Sequence, residues 1–221
     1  MKIVLKFGGT SLASPKDIRN VAKTITSFSK GNQIVVVCSA VDGVTDDLIT
    51  ISRLIEQRRK NNIVANLNGV IIKHRKLANQ TIKNSVIKKQ LLEKLNTDVS
   101  ELQELVRGLT LLKEVSARSL DYLISFGERL SDDLVSYALQ DLKKKSTALN
   151  GKEVGIVTDS NFGESRPLMD TTRIRISKTL GSLLSKKVIP VVGGFAGADQ
   201  HGNITTFGRG GSDYTATIIA S

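Results

Sequence analysis

Lys2-Ile3-Val4-Leu5-Lys6-Phe7, Gly8-Gly9, Ser14-Pro15-Lys16-Asp17 and Ile34-Val35-Val36-Val37-Cys38, taken in order, decide the fold. The first stretch reads as a strand that the two glycines break. Ser14 is then an N-cap, Pro15 the first helical residue and Asp17 an acid three after the cap, which together open a helix. Ile18, Val21, Ala22, Ile25 and Phe28 follow at 3/4 spacing and form an apolar stripe facing a core. Gly31-Asn32 ends that helix. Ile34 to Cys38 is a continuous apolar run rich in β-branched residues, the pattern of a strand buried on both faces. Strand, helix and strand within forty residues imply a right-handed parallel crossover and an α/β protein.

Working outward, the chain from about Thr45 to Lys145 has a helical period, with breaks expected near Asn61-Asn62, Asn96-Thr97 and Gly108. β-Structure is expected again at Ser146–Leu149, at Gly155-Ile156-Val157-Thr158, at Val188–Val192 and at Ile204–Phe207. A helix is expected over Arg173 to Ser185. Pro190 is awkward for a central strand but tolerable near its start. Neither an internal repeat nor a flexible linker is visible, so the helical middle reads as a large insertion in one α/β domain. A last helix begins at Ser212 and reaches Ser221 without a capping glycine or a basic last turn, so the chain reads as stopping inside a domain.

The composition narrows the class. The chain has 221 residues, of which 40% are hydrophobic and 24% charged, and three are proline, as in an ordinary globular domain. Its longest aliphatic run, Ile34 to Val37, falls far short of the ~20 residues of a membrane span. Lys6 interrupts the first apolar stretch, unlike a signal peptide. A single cysteine cannot form an intrachain disulfide, so a reducing compartment, the cytoplasm, is expected. The net charge of +11 suggests anionic partners, but +9 of it lies between Arg53 and Lys94, where eleven Lys/Arg face two Glu. No aromatic residue occurs from Ser29 through Asp121, so that stretch lacks stacking platforms for single-stranded nucleic acid. A solvated helix surface is the favoured reading, and no nucleic-acid partner is expected.

Four clusters fall where strands run into helices, the place at which open α/β sheets bind ligands. In Lys6-Phe7-Gly8-Gly9-Thr10-Ser11, two glycines let backbone amides approach an anion and Lys6 adds a charge, although a plain turn would use the same residues. Ser39 and Thr45 are hydroxyls that could hold a carboxylate or phosphate, or, for Thr45, simply cap a helix ahead of Asp46-Asp47. Cys38 reads as a small core residue. Glu128, in Ser125-Phe126-Gly127-Glu128-Arg129-Leu130-Ser131, stands on the stripe that also carries Leu120, Ile124 and Val135. A carboxylate there needs a cation, either a distant Lys or Arg or a substrate ammonium, and Gly127 beside it would leave room for a ligand. Gly208-Arg209-Gly210-Gly211-Ser212-Asp213 follows a strand and opens a helix. Its glycines suit an anion nest, and Arg209 a bidentate fork for carboxylate or phosphate. Asp213 could cap the helix, orient a lysine or face a metal-bound nucleotide. P-loop, dinucleotide-fold and serine-hydrolase motifs are missing, and His74 and His201 lack metal-motif spacing.

These three glycine-bearing segments, with Val192-Gly193-Gly194-Phe195 between the second and third, resemble the aspartokinases of the amino-acid kinase family, in collinear order along the whole chain. The resemblance implies a three-layer α/β/α sandwich around a mostly parallel sheet, with the large helical insertion. It implies transfer of the γ-phosphoryl group of ATP, with Mg²⁺, to the β-carboxylate of L-aspartate, giving 4-phospho-L-aspartate, the first step toward lysine, threonine and methionine. By the same resemblance, Lys6 and Asp213 are catalytic. Lys6, Phe7, Gly8, Gly9, Thr10, Gly210 and Gly211 hold nucleotide phosphates, while Ser39, Thr45, Glu128, Phe195, Arg209 and Ser212 line the aspartate pocket. Glu128 would take the α-ammonium and Arg209 the α-carboxylate. No direct protein ligand to the metal is implied, and the full-length enzyme is expected to be a homodimer.

In that family, much of the adenine and ribose site, a second lysine and the paired ACT regulatory domains follow the segment ending at Asp213. Residues 1–221 are therefore expected to be an amino-acid kinase domain incomplete on its nucleotide-binding side, without ACT domains and inactive or nearly so alone. Kinases of glutamate, N-acetylglutamate or UMP, and a non-catalytic aspartate-binding fragment, are the competing readings. A carboxylate at Glu128 argues for a free ammonium, and so against an acetylated amine or a nucleotide.

Overall fold

The computed structural model describes residues 1–208 and 210–221. Strand β1 (Lys2–Phe7) leads through a 3-10 turn (Gly9–Leu12) to helix α1 (Pro15–Phe28) and strand β2 (Gln33–Cys38). Ser14 caps α1 as its sequence requires, its hydroxyl accepting from the Asp17 amide. Helices α2 (Val44–Glu56), α3 (Lys60–Thr81), α4 (Ser85–Leu112) and α5 (Ala117–Asp141) form the helical insertion. Strand β3 (Ser146–Leu149), the short α6 (Gly151–Val154), α7 (Met169–Ser185) and strand β4 (Ile189–Gly193) follow. A small hairpin, β5 (Ala196–Ala198) and β6 (Ile204–Thr206), leads to α8 (Gly211–Ala220).

All four main strands are parallel, in the order β1-β2-β4-β3. Side-chain alternation along the central strands divides them between two cores. Ile34, Val36 and Cys38 of β2 and Val191 of β4 join α1, α2 and α5 on one face. Val35 and Val192 join Val154 of α6, Ile176, Leu180 and Leu184 of α7 and Ile218 of α8 on the other. The result is the expected three-layer α/β/α sandwich, with α3 and α4 packed outside the helices of the first face. Because β1 connects to β2 over one face and β3 to β4 over the other, the order in which strands are added reverses between β2 and β4. That crevice, at the carboxyl ends of the strands, is the topological switch point of the sheet.

Several local expectations are corrected. Asn61 and Asn62 lie in the first turn of α3, and the break falls earlier, where Arg58 takes a positive φ of 58°. Asn96, Thr97 and Gly108 lie inside α4, where the Thr97 hydroxyl bonds the Glu93 carbonyl instead of ending the helix. The actual boundaries are Asn84, whose side chain accepts from Val86 and Ile87 amides, and Lys113, at φ 59° before the Ser116 cap of α5. Residues 155–158 form no strand of their own; Val157 and Thr158 make single bridges to Ala198 and Pro167. Helix α7 begins at Met169, ahead of the expected Arg173. Pro190 is tolerated because the pairing of β4 with β2 begins only at Val191. Among the described residues, no helix is long and apolar enough to cross a membrane.

Candidate active site

The carboxyl ends of β1, β2 and β4 converge with α5 and the first turn of α8. Lys6, on β1, reaches Asp213 of α8, with Nζ 2.8 Å from Oδ1. Ser39, just past β2, donates from its hydroxyl to that of Ser212 at 2.9 Å. The Ser131 hydroxyl of α5 in turn donates to the Ser39 carbonyl at 2.7 Å. Gly194 follows β4 and lies against Ser212, where a Cβ would stand 2.7 Å from the serine's own Cα. The serine-to-serine contact therefore depends on a residue without a side chain at position 194.

Glu128 of α5 projects into this crevice. It is 5% exposed; Oε1 accepts from the Ala40 amide at 3.2 Å, and Oε2 has no hydrogen-bond partner. No described lysine or arginine pairs with it. Burial raises its pKa to about 8, against smaller lowering contributions from backbone hydrogen bonds, that of Ala40 first. The cation that an apolar-stripe carboxylate needs is thus not supplied by the described chain. Arg129, its neighbour, faces away: it bonds Asp98 at 2.6 Å and Glu101 at 2.7 Å and lies over the Phe126 ring. A cavity of about 870 Å³ opens here, bordered by Ser125, Glu128, Asp132, Gly193, Gly194 and Asn203 among others.

The glycines have more specific uses than the sequence suggested. Gly127 does not leave room for a ligand. A Cβ there would stand 2.9 Å from the Ala40 Cβ, so the missing side chain lets α5 approach the segment after β2 and places Glu128 against the Ala40 amide. Gly9 makes a comparable approach to the Ala40 carbonyl, while Gly8 borders Lys6 Nζ. Thr45 is not a cap either: Gly43, at φ 77°, precedes α2, and Thr45 lies inside its first turn with its hydroxyl near Gly127. Thr10 is exposed and Phe7 half-buried beside the same turn. Gly210 is the N-cap of α8 and Gly211 its first residue. Arg209 lies outside the described residues.

Phe195 occupies the left-handed region at φ 77°, costly for a residue with a Cβ. Two hydrogen bonds hold it there, from its amide to the Thr215 hydroxyl at 3.0 Å and to its carbonyl from the Phe207 amide at 2.9 Å. Two acids on α5 escaped the sequence reading. Asp121 accepts from the Gly163 amide, the Thr206 amide and the Thr206 hydroxyl, tying α5 to the hairpin that leads into 208–211. Asp132 is buried one turn beyond Glu128, and that i+4 spacing on one stripe was the signal for it.

A parallel sandwich with a glycine turn, a lysine–aspartate pair and an unpaired buried carboxyl at its switch point has the form of a ligand-binding α/β domain. The chain belongs to the amino acid kinase family, whose pattern it matches over residues 1–221. It is 32% identical over 98% of its length to aspartokinase 2, chloroplastic, of Arabidopsis thaliana, and 31% identical over 99% to the aspartokinase of Geobacillus stearothermophilus. It spans 39% of each of those proteins. Its fold also matches a crystal structure of E. coli aspartokinase III in complex with aspartate and ADP, with a TM-score of 0.88 and 25% identity, covering 100% of this chain and 46% of that one.

Proposed function

We propose that the chain is the acceptor-binding and phosphate-gripping part of an aspartate kinase, which moves the γ-phosphoryl group of ATP to the β-carboxylate of L-aspartate and yields 4-phospho-L-aspartate. The observation that carries this reading is Glu128: a carboxyl with a free oxygen, buried at the switch point with no described cation, calls for one from a ligand. The α-ammonium of an amino acid supplies it. By the resemblance Ser39, Thr45, Phe195 and Ser212 would contact the same acceptor, although none of the four borders the 870 Å³ cavity, and Arg209 would take the α-carboxylate.

Lys6, beside Gly8 and Gly9, would hold the phosphoryl group as charge moves from ATP to the acceptor, with Asp213 fixing the lysine's position. Thr10, Phe7 and the Gly210–Gly211 start of α8 would border the phosphates. The Lys6–Asp213 pair, with Asp213 largely exposed, suits a nucleotide carrying its own magnesium, which supplies charge neutralisation of the phosphates. The acceptor carboxylate is itself the nucleophile, so the chain needs only to position and stabilise.

In this reading these 221 residues, which span 39% of the aspartokinases they match, supply only part of a kinase's catalytic machinery and turn over little by themselves. The homodimer is carried by the resemblance only, and sedimentation of a longer relative checks it. The one cysteine, buried and free, suits a reducing compartment such as the cytoplasm.

The test is a ligand-observed NMR titration of the 221-residue chain with L-aspartate, L-glutamate and N-acetyl-L-aspartate. Binding of L-aspartate alone, lost in Glu128→Gln, supports the reading. Equal binding of glutamate would reassign the acceptor, and undiminished binding by the variant would make Glu128 structural. A hydroxamate-trapping assay with ATP then measures transfer directly.

A further inference from the structure

Glu128 has a companion. Asp132 is 1% exposed, and neither of its carboxyl oxygens has a hydrogen-bond partner. Its surroundings disfavour an isolated charge: burial, then Glu128, Asp133 and Glu153, all push its pKa up. Lys94 and Arg129, which border a pocket with it, are committed elsewhere. Lys94 bonds Asp98 at 2.6 Å and approaches Asp133 at 3.6 Å, and Arg129 bridges Asp98 and Glu101.

Both acids border one glycine. A Cβ at Gly193 would stand 2.5 Å from Asp132 Oδ2 and 3.3 Å from Glu128 Cβ, so a side chain at the carboxyl end of β4 would press on both acids. Both acids also line the 870 Å³ cavity. Three orphaned carboxyl oxygens, Glu128 Oε2 and Asp132 Oδ1 and Oδ2, thus lie buried at one end of the sheet. No group of three or more His, Cys, Asp or Glu among the described residues is arranged for a metal ion. A primary ammonium matches the chemistry better, since it brings one positive charge and three donors.

We propose that Asp132 is a second ammonium-binding carboxylate, sharing with Glu128 the free amine of the acceptor and making the pocket selective for an unsubstituted one. This rests on the amino-acid-acceptor reading above and adds to it a residue that reads the amine. With Asp132 present, the ammonium is held by two carboxyls from consecutive turns of α5, and replacing one of its protons by a methyl group removes a donor the cradle uses.

Ligand-observed NMR titrations with L-aspartate, N-methyl-L-aspartate and succinate test it, on the wild-type chain and on Asp132→Asn and Glu128→Gln. Succinate keeps both carboxylates and lacks the amine. Asp132→Asn is expected to weaken L-aspartate at least tenfold and leave succinate within twofold; the wild type should prefer L-aspartate to its N-methyl form by at least tenfold. Unchanged aspartate affinity in Asp132→Asn, or equal losses for aspartate and succinate, would overturn the proposal. If that variant does not fold, the wild-type N-methyl comparison decides alone, equal binding of the two amines counting against it. A wild type that ignores L-aspartate overturns the parent reading and this one together. Dependence on Glu128 with indifference to Asp132 overturns only this one.

Discussion

Lys6 and Asp213, at opposite ends of the chain, meet with Nζ and Oδ1 2.8 Å apart across the carboxyl edge of the sheet. The lysine side chain is 26% exposed and the aspartate 73%, so solvent screens the pair and its contribution to stability is about 0–1 kcal/mol. Lys6→Ala should therefore leave the urea midpoint nearly unchanged. It should lower MgATP affinity about tenfold and leave L-aspartate affinity within twofold, which parallel titrations with the two ligands check. Loss of aspartate binding instead would move Lys6 into the acceptor pocket.

The pH dependence follows from Glu128. Its folded pKa is raised to about 8 from an ordinary 4.5, mainly by burial. Its contribution to stability is full below about pH 4.5, where folded and unfolded chains both hold the proton, and is lost as pH rises through about 8. Glu128→Gln should thus melt higher than wild type at pH 8–9, with the gap closing toward pH 4.5. Thermal denaturation across that range reads it. Affinity for an ammonium ligand should rise over the same interval, because the ligand needs the carboxylate.

Gly127→Ala should act at a distance from any ligand. The new methyl group would press on the Ala40 Cβ at 2.9 Å and push α5 off the segment after β2. A loss of about 1–3 kcal/mol is expected from such overpacking, measured by urea denaturation. Aspartate affinity should fall with it, since the Ala40 amide no longer orients Glu128.

Asp121→Ala removes the acceptor for the Gly163 amide, the Thr206 amide and the Thr206 hydroxyl, at 2.9, 2.9 and 2.7 Å. Buried donors left unpaired cost about 1–3 kcal/mol each. Hydrogen exchange should accelerate at Gly163 and Thr206 more than at Val36 or Val191 in the sheet. Uniform acceleration would mean that Asp121 supports the whole fold rather than the hairpin.

Much of the architecture was legible because it is local. The Ser14-Pro15 start, the stripe of α1 and the buried run of β2 each follow from neighbours a few residues apart. Element boundaries in the insertion were less so. Asn96, Thr97 and Gly108 look like breakers, yet packing of Leu95, Val99, Leu102, Val106 and Leu109 carries α4 straight through them. Val157 and Thr158 have strand propensity but find only single bridging partners.

The sequence by itself determined an α/β protein, the segments that would carry a site and the need of Glu128 for a cation, because periodicity, capping and charge burial act along a single element. Tertiary structure alone decided what meets what. It closed Lys6 onto Asp213 and Ser39 onto Ser212, turned Gly127 from an opening into a close contact, and left Glu128 and Asp132 together without a described counter-ion. Those outcomes depend on crossover connections that bring residues far apart in the chain within ångströms of one another, and no local pattern encodes such distances.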